Sequence, residues 1–283
     1  MKILITGTNG QVGHALMHQL KEHQLVGLTR QDCDLSQPKQ IKQTIDQHQP
    51  DLIINSAAFT KVDQAENESE LAFQINQDAP MVMAEKAREY NIPFIHFSTD
   101  YVFDGKKEGS YMEEDRANPL SVYGQSKLAG ERVVQEVGGL HYIFRTSWVY
   151  SNRGQNFYLT MRRLSNERAT IKVVADQIGV PTSSAFIAEQ IEKIIPQLYE
   201  NNTGLYHLVP EGACSWFDFA KQIIGITNPN FNIDNLHSIK TFEFPVKARR
   251  PPNSLIDNKK IKMNFMLKFD SWLIELNKVI NEA

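Results

Sequence analysis

Seven residues near the amino terminus, Gly7-Thr8-Asn9-Gly10-Gln11-Val12-Gly13, constrain this chain more than any other segment. They stand between a short apolar run, Lys2–Thr6, and an amphipathic stretch over residues 11–23, where a strand must turn into a helix. Glycine allows the sharp turn and lets a pyrophosphate approach the backbone with no Cβ in the way. The helix end behind it offers unpaired N–H groups and a favourable dipole to the anion. A glycine triplet alone is a weak motif. Between strand and helix, at the head of an alternating chain, it is a strong one.

The alternation continues through the first half. Apolar runs at 25–29, 52–55, 93–97 and 141–145 read as strands, and 38–48, 69–90 and 122–136 as helices. Apolar runs without clean alternation fit strands covered on both faces, and strands separated by helices mean crossover connections. The expected fold class is therefore α/β, a doubly wound parallel sheet. After Trp148 the rhythm loosens into helices at 156–167 and 186–198, a strand at 171–174 and turn-rich pieces such as Arg249-Arg250-Pro251-Pro252-Asn253. This predicts a dinucleotide-binding domain over residues 1–149, with return segments near 170–200. A smaller C-terminal lobe over 150–283 would mostly bind substrate.

Composition permits this and excludes other classes. The 283 residues are 41% hydrophobic and 22% charged, enough for an ordinary core. A net charge of −3 gives no reason to expect nucleic acid or an anionic membrane as partner. No stretch approaches the ~18 apolar residues of a membrane span, and the first strand passes straight into the glycine turn, so a cytoplasmic location is expected. Cys33 and Cys214 stand far apart with no CxxC partner, and both read as buried filler.

The second strand ends at Leu28-Thr29-Arg30, where an acidic residue would bond the ribose 2′-hydroxyl of NAD. An arginine there suits a 2′-phosphate, because its planar cationic fork matches phosphate oxygens. NADPH is expected to be preferred, with NADH also accepted. Asp34 and Leu35 would meet the adenosine, and Asp32 is close enough to compete for the ribose. Ser56-Ala57-Ala58-Phe59 closes the third strand with small residues that let the backbone pass close to a nicotinamide ribose.

Tyr123-Gly124-Gln125-Ser126-Lys127 opens a predicted helix, and its i, i+4 spacing puts phenol and ammonium on one face. The ammonium is expected to lower the tyrosine pKa and ease proton transfer near neutrality. Phe97-Ser98-Thr99-Asp100-Tyr101 closes the fourth strand at the sheet edge where such folds bind ligands. From there Thr99 can hydrogen-bond a carbonyl oxygen that Tyr123 protonates.

Glycine turn, strand-end threonine and YxxxK together resemble the extended short-chain dehydrogenase/reductase family, whose members carry a Rossmann-type sheet. The chain closely resembles one subgroup, dTDP-4-dehydrorhamnose reductase, and the similarity runs nearly end to end. It is carried by residues 57–66, by Ser98-Thr99-Asp100-Tyr101-Val102-Phe103, by Phe144-Arg145-Thr146-Ser147-Trp148-Val149-Tyr150 and by Asp176-Gln177-Ile178-Gly179-Val180-Pro181-Thr182. The resemblance implies NADPH-dependent reduction of the C4 keto group of dTDP-4-dehydro-β-L-rhamnose, a step toward surface polysaccharide. It implies a cofactor site of Gly7, Gly10, Gln11, Val12, Gly13, Arg30, Asp34, Leu35, Ala57, Ala58, Phe59 and Thr60. Tyr123 would be the proton donor, Lys127 would hold it and the ribose, and Thr99 would assist. The sugar nucleotide would meet Val62, Thr99, Asp100, Tyr101, Trp148 and Arg250, with the Trp148 ring as a plane for the sugar and Arg250 as a fork for phosphate.

Some members of that subgroup bind magnesium through glutamates at a dimer interface, one of them just after a Pro-Thr pair. Here Pro181-Thr182-Ser183-Ser184-Ala185 puts alanine at that position, so no metal is expected, and a monomer or weak homodimer. Two rival readings stay open. A dehydratase or epimerase of the same fold would carry Asp-Glu after the strand-end threonine, where this chain has Asp100-Tyr101. A silent regulatory subunit, like that of methionine adenosyltransferase, would lack Thr99 and the Thr146-Ser147-Trp148 string.

Overall fold

The computed structural model describes residues 1–281. Its centre is a six-stranded, all-parallel sheet in the order 10-5-4-3-1-2. The strands are β1 (Lys2–Thr6), β2 (Gln24–Leu28), β3 (Leu52–Asn55), β4 (Phe94–Thr99), β5 (His141–Thr146) and, far along the chain, β10 (Gly204–His207). After β2 the chain crosses β1 to lay down β3 on its other side. That reversal opens a crevice above the carboxyl ends of β1 and β3, where such sheets take ligands.

Both faces are covered, as the uninterrupted apolar runs require. Ile3 and Ile5 of β1 point to one face, against Leu16 of α1 (Gln11–Gln19) and Ile187 and Ile191 of α8 (Ser184–Ile194). Leu4, between them, points to the other face with Ile41 of α2 (Pro38–His48) and Met83 of α5 (Ala79–Glu89). The alternation of a strand thus feeds two cores from one sheet.

Element boundaries follow the expectations closely, with instructive exceptions. The helix expected over 11–23 ends at Gln19. The one expected over 69–90 is three pieces: α4 (Ser69–Phe73), a π-helical turn (Gln74–Asp78) and α5. The wide turn puts Asn76 fully inside, and such turns recur at functional sites. α8 starts two residues before 186 because Ser183 caps it, its hydroxyl accepting from Phe186 N–H at 3.0 Å.

The chain returns to the main sheet through α8 and β10, whereas β7 (Ile171–Val174) pairs with β12 (Leu236–Ile239) in a separate two-stranded sheet. That lobe has its own core, in which Tyr158 of α7 (Phe157–Glu167) and Phe219 and Ile223 of α9 (Trp216–Thr227) meet Ile171 and Val173. Cys33 and Cys214 are buried, free thiols, and burial pushes both upward in pKa. Among the described residues, no helix is long and apolar enough to cross a membrane.

Candidate active site

The glycine turn is built as its sequence demands. Gly7 has φ +71°, and a Cβ there would lie 2.8 Å from the Ala57 backbone. A Cβ on Gly13 would reach 2.3 Å from Gly7 O, so α1 packs directly onto the turn. Gly10 precedes α1 without a capping side chain, which leaves the first helical N–H groups for a ligand. Gln11 does more than expected. Its Oε1 accepts from Ser151 Oγ and Asn156 Nδ2, both at 2.8 Å, tying the turn to the C-terminal lobe.

A cavity of about 360 Å³ opens beside this turn, and it gathers Gly7, Arg30, Asp34, Leu35, Ala57, Ala58, Phe59 and Thr60. Gly10, Gln11, Val12 and Gly13 lie outside its lining, at the head of α1. Asp34 accepts from Ser36 N–H and Oγ at 3.0 and 2.9 Å, which with nearby Arg30 holds its carboxyl below the usual range. Asp32 is turned away from the ribose role left open for it. Thr29 N–H and Oγ1 both donate to its carboxylate, and it does not line the cavity. Apolar walls from Leu28, Leu71 and Ile75, an acceptor at Asp34 and a cation at Arg30 give the cavity the mixed lining of a nucleotide site. Asn76, which no short motif flagged, clamps one wall: it accepts from Phe59 N–H at 2.8 Å and donates to Phe59 O and Ser126 Oγ.

The catalytic candidates meet at the end of β4. Helix α6 (Val122–Val137) begins there because Ser121 Oγ accepts from Gly124 N–H and Glu66 Oε1 from Val122 N–H. Gly124 is obligatory, since a Cβ would fall 2.3 Å from Tyr101 O. Thr99 Oγ1 donates to Asp100 Oδ1 at 2.9 Å and accepts from Tyr101 N–H at 3.2 Å. Asp100 is 1% exposed with Oδ2 unpartnered, and burial lifts its pKa to about 6.

One expectation fails here. Lys127 was expected to lower the pKa of Tyr123, yet its Nζ donates to Phe97 O at 2.6 Å and lies 3.5 Å from His96 Nε2. Burial instead pushes the phenol up to about 12, with the Thr99 hydroxyl offsetting part of the rise and the Asp100 charge adding to it. Burial also lowers Lys127 to about 8, against partial support from Glu131. Desolvation works against the charged form of both groups, and the lysine is committed to the Phe97 carbonyl.

The substrate candidates are partly committed elsewhere. Trp148, held at φ +47°, stacks on Trp216 with ring centroids 3.5 Å apart, while Gly179 packs against its Nε1 edge. At most one face is left for a sugar. Arg250 Nη2 donates to Asp63 Oδ2 at 2.7 Å, and its guanidinium lies 5.8 Å from the Tyr101 ring centroid. Tyr101 in turn meets Tyr123 edge-on at 5.7 Å, and Val62 begins the short helix α3 (Val62–Ala65) that carries Asp63. Among the described residues, no group of three or more His, Cys, Asp or Glu is placed to hold a metal.

The family described as RmlD substrate binding domain matches residues 1–283. The dTDP-4-dehydrorhamnose reductase of Escherichia coli (strain K12) is 38% identical, over 100% of this chain and 98% of that protein. The spore coat polysaccharide biosynthesis protein SpsK of Bacillus subtilis (strain 168) is 36% identical, over 92% of this chain and 90% of its own. Among solved structures, the dTDP-4-dehydrorhamnose reductase of Bacillus anthracis str. Ames in complex with NADP matches with a TM-score of 0.94 at 37% identity, covering 100% of this chain and 99% of that one. The chain belongs to the dTDP-4-dehydrorhamnose reductase family.

Proposed function

We propose that this protein reduces the C4 keto group of dTDP-4-dehydro-β-L-rhamnose to give dTDP-L-rhamnose, a precursor of surface polysaccharide, with NADPH preferred over NADH. The observation that carries this reading is the meeting of Thr99, Asp100, Tyr123 and Lys127 at one strand end, within a full-length match to reductases of that name. The Rossmann part, residues 1–149 with the segments that return to its sheet, binds the cofactor, and the C-terminal lobe binds the sugar nucleotide. The enzyme works in the cytoplasm as a monomer or weak homodimer, on a small-molecule substrate.

NADPH, when bound, supplies the hydride that reaches C4. Tyr123 donates a proton to the carbonyl oxygen, and its pKa of about 12 keeps that proton in place through the neutral range. Thr99 orients the same oxygen. Lys127, with one N–H given to Phe97 O, has donors left for ribose hydroxyls. Asp100 offers its unpartnered Oδ2 to a sugar hydroxyl. Arg250 takes phosphate from its place beside Asp63.

NADPH absorbance, followed on mixing protein with the ketosugar nucleotide, tests the activity, and the configuration of the product tests the substrate. Tyr123→Phe should lower kcat by roughly 10²–10⁴ with nucleotide binding largely kept; near-normal turnover would remove Tyr123 from the chemistry. Activity should also survive exhaustive EDTA, since Ala185 at the start of α8 offers no ligand. Restoration of lost activity by magnesium would count against this.

A further inference from the structure

Behind Lys127 runs a row of buried polar side chains that the reaction above does not use. Thr6, Asn55 and His96 stand on the neighbouring strands β1, β3 and β4, and together with Lys127 they are 2%, 1%, 0% and 2% exposed. Thr6 Oγ1 donates to Asn55 Oδ1 at 2.7 Å, Asn55 Nδ2 lies 3.1 Å from His96 Nδ1, and His96 Nε2 lies 3.5 Å from Lys127 Nζ.

A count of donors decides which way the row is polarised. Thr6 Oγ1 accepts from Ala57 N–H at 3.4 Å, so its single hydrogen is free for Asn55 Oδ1. With the Asn55 amide turned over, Thr6 would receive two donors and its own hydrogen would face no acceptor in the row. Asn55 therefore presents its NH₂ to Nδ1, which must accept, and the ring proton of the neutral imidazole sits on Nε2. That proton points at Lys127. A separation of 3.5 Å exceeds a normal hydrogen bond and suits two donors facing each other. As an ammonium, Lys127 meets a second donor there; as an amine, it accepts from Nε2–H while still donating to Phe97 O.

We propose that His96 is a positioning residue for Lys127: held by Asn55 with its proton on Nε2, it opposes the lysine's charge and so sets the pH at which that charge is lost. The proposal rests on reading Lys127 as catalytic. Few other groups bear on the pair. Glu131, one turn along α6, favours the charge, but Arg145 of β5 holds it at 2.7 and 2.8 Å and Ser98 of β4 donates to it as well. Tyr123 and Asp100 lie on the substrate side. β1 and β3 contribute only the neutral Thr6 and Asn55. Desolvation disfavours a second charge on His96 itself, which keeps the ring neutral.

Protein labelled with ¹⁵N-histidine gives the first test, because the two ring nitrogens report the tautomer and need no substrate. With the His96 signals identified by their loss in His96→Leu, a neutral Nε2–H ring is expected from about pH 6 to about pH 9. An Nδ1–H ring, or one that titrates in that range, overturns the proposal. The second test is the alkaline limb of kcat/KM, which should move up by about one pH unit in His96→Leu. If that variant does not fold, His96→Gln serves both arms, since its amide can turn an oxygen to the lysine and should move the limb the same way. An unmoved limb overturns the proposal. Failure of the reductase reading would look different: wild-type protein would consume no NADPH, while the tautomer could still be measured.

Discussion

Arg30 stands exposed in the lining of the cavity beside the glycine turn, together with Asp34. Its guanidinium should reach the 2′-phosphate of NADPH, and because the site is open to water the gain should be roughly tenfold in kcat/KM over NADH. Arg30→Ala should bring the two cofactors close to parity. An unchanged ratio in the variant, or a wild-type preference for NADH, would place the arginine's role elsewhere. Residue types and spacing made Arg30, Tyr123 and Lys127 legible in the sequence, because strand ends and i, i+4 faces are local geometry. The aim of Lys127 toward Phe97 O and His96 was not legible. It depends on β4 lying beneath α6, and those contacts join residues about thirty positions apart.

At the scale of elements, the contact between α6 and the π-helical turn positions both Asn76 and the helix that carries Tyr123 and Lys127. Gly130 makes it possible, since a Cβ there would lie 2.0 Å from Asn76 O. Alanine in a helix interior normally gains up to ~1 kcal/mol over glycine, but a clash with backbone should cost about 1–3 kcal/mol and decide the sign. Gly130→Ala should therefore unfold at lower urea and loosen the Phe59 clamp, raising the Kd for NADPH. A more stable variant would mean that α6 can slide without cost. The break in the helix expected over 69–90 does have a local signal, Pro80 in the first turn of α5, which has no N–H to give to the Asn76 carbonyl four residues back; the fit of the Asn76 side chain under Phe59 is the part that only tertiary contacts supply.

Over the whole molecule, buried histidines should govern acid stability. His207 lies inside the sheet beside Arg145, and burial together with that cation lowers its pKa to about 3. Between about 3 and the ordinary 6.5 the unfolded chain binds a proton that the folded chain refuses, so stability falls as pH drops through this window. The slope reaches up to about 1.4 kcal/mol per pH unit for one such group. Asp100, raised to about 6, acts in the opposite sense between there and 3.8 and offsets part of it. Urea unfolding at pH 7 and pH 5 should show the loss, and His207→Gln should make the dependence shallower. An equally steep variant would shift the cause to other groups. The sequence by itself determined the α/β class, the glycine turn between strand and helix, the strand ends that gather the candidate residues and the family, because these rest on local conformation and on motifs that survive without neighbours. Only the tertiary structure decided that β10 closes the sheet beside β5, that Asp63 holds Arg250, that Trp216 covers Trp148 and that Lys127 faces a histidine. Each of these joins segments far apart in the chain, where packing and desolvation choose the partner and no local preference records it.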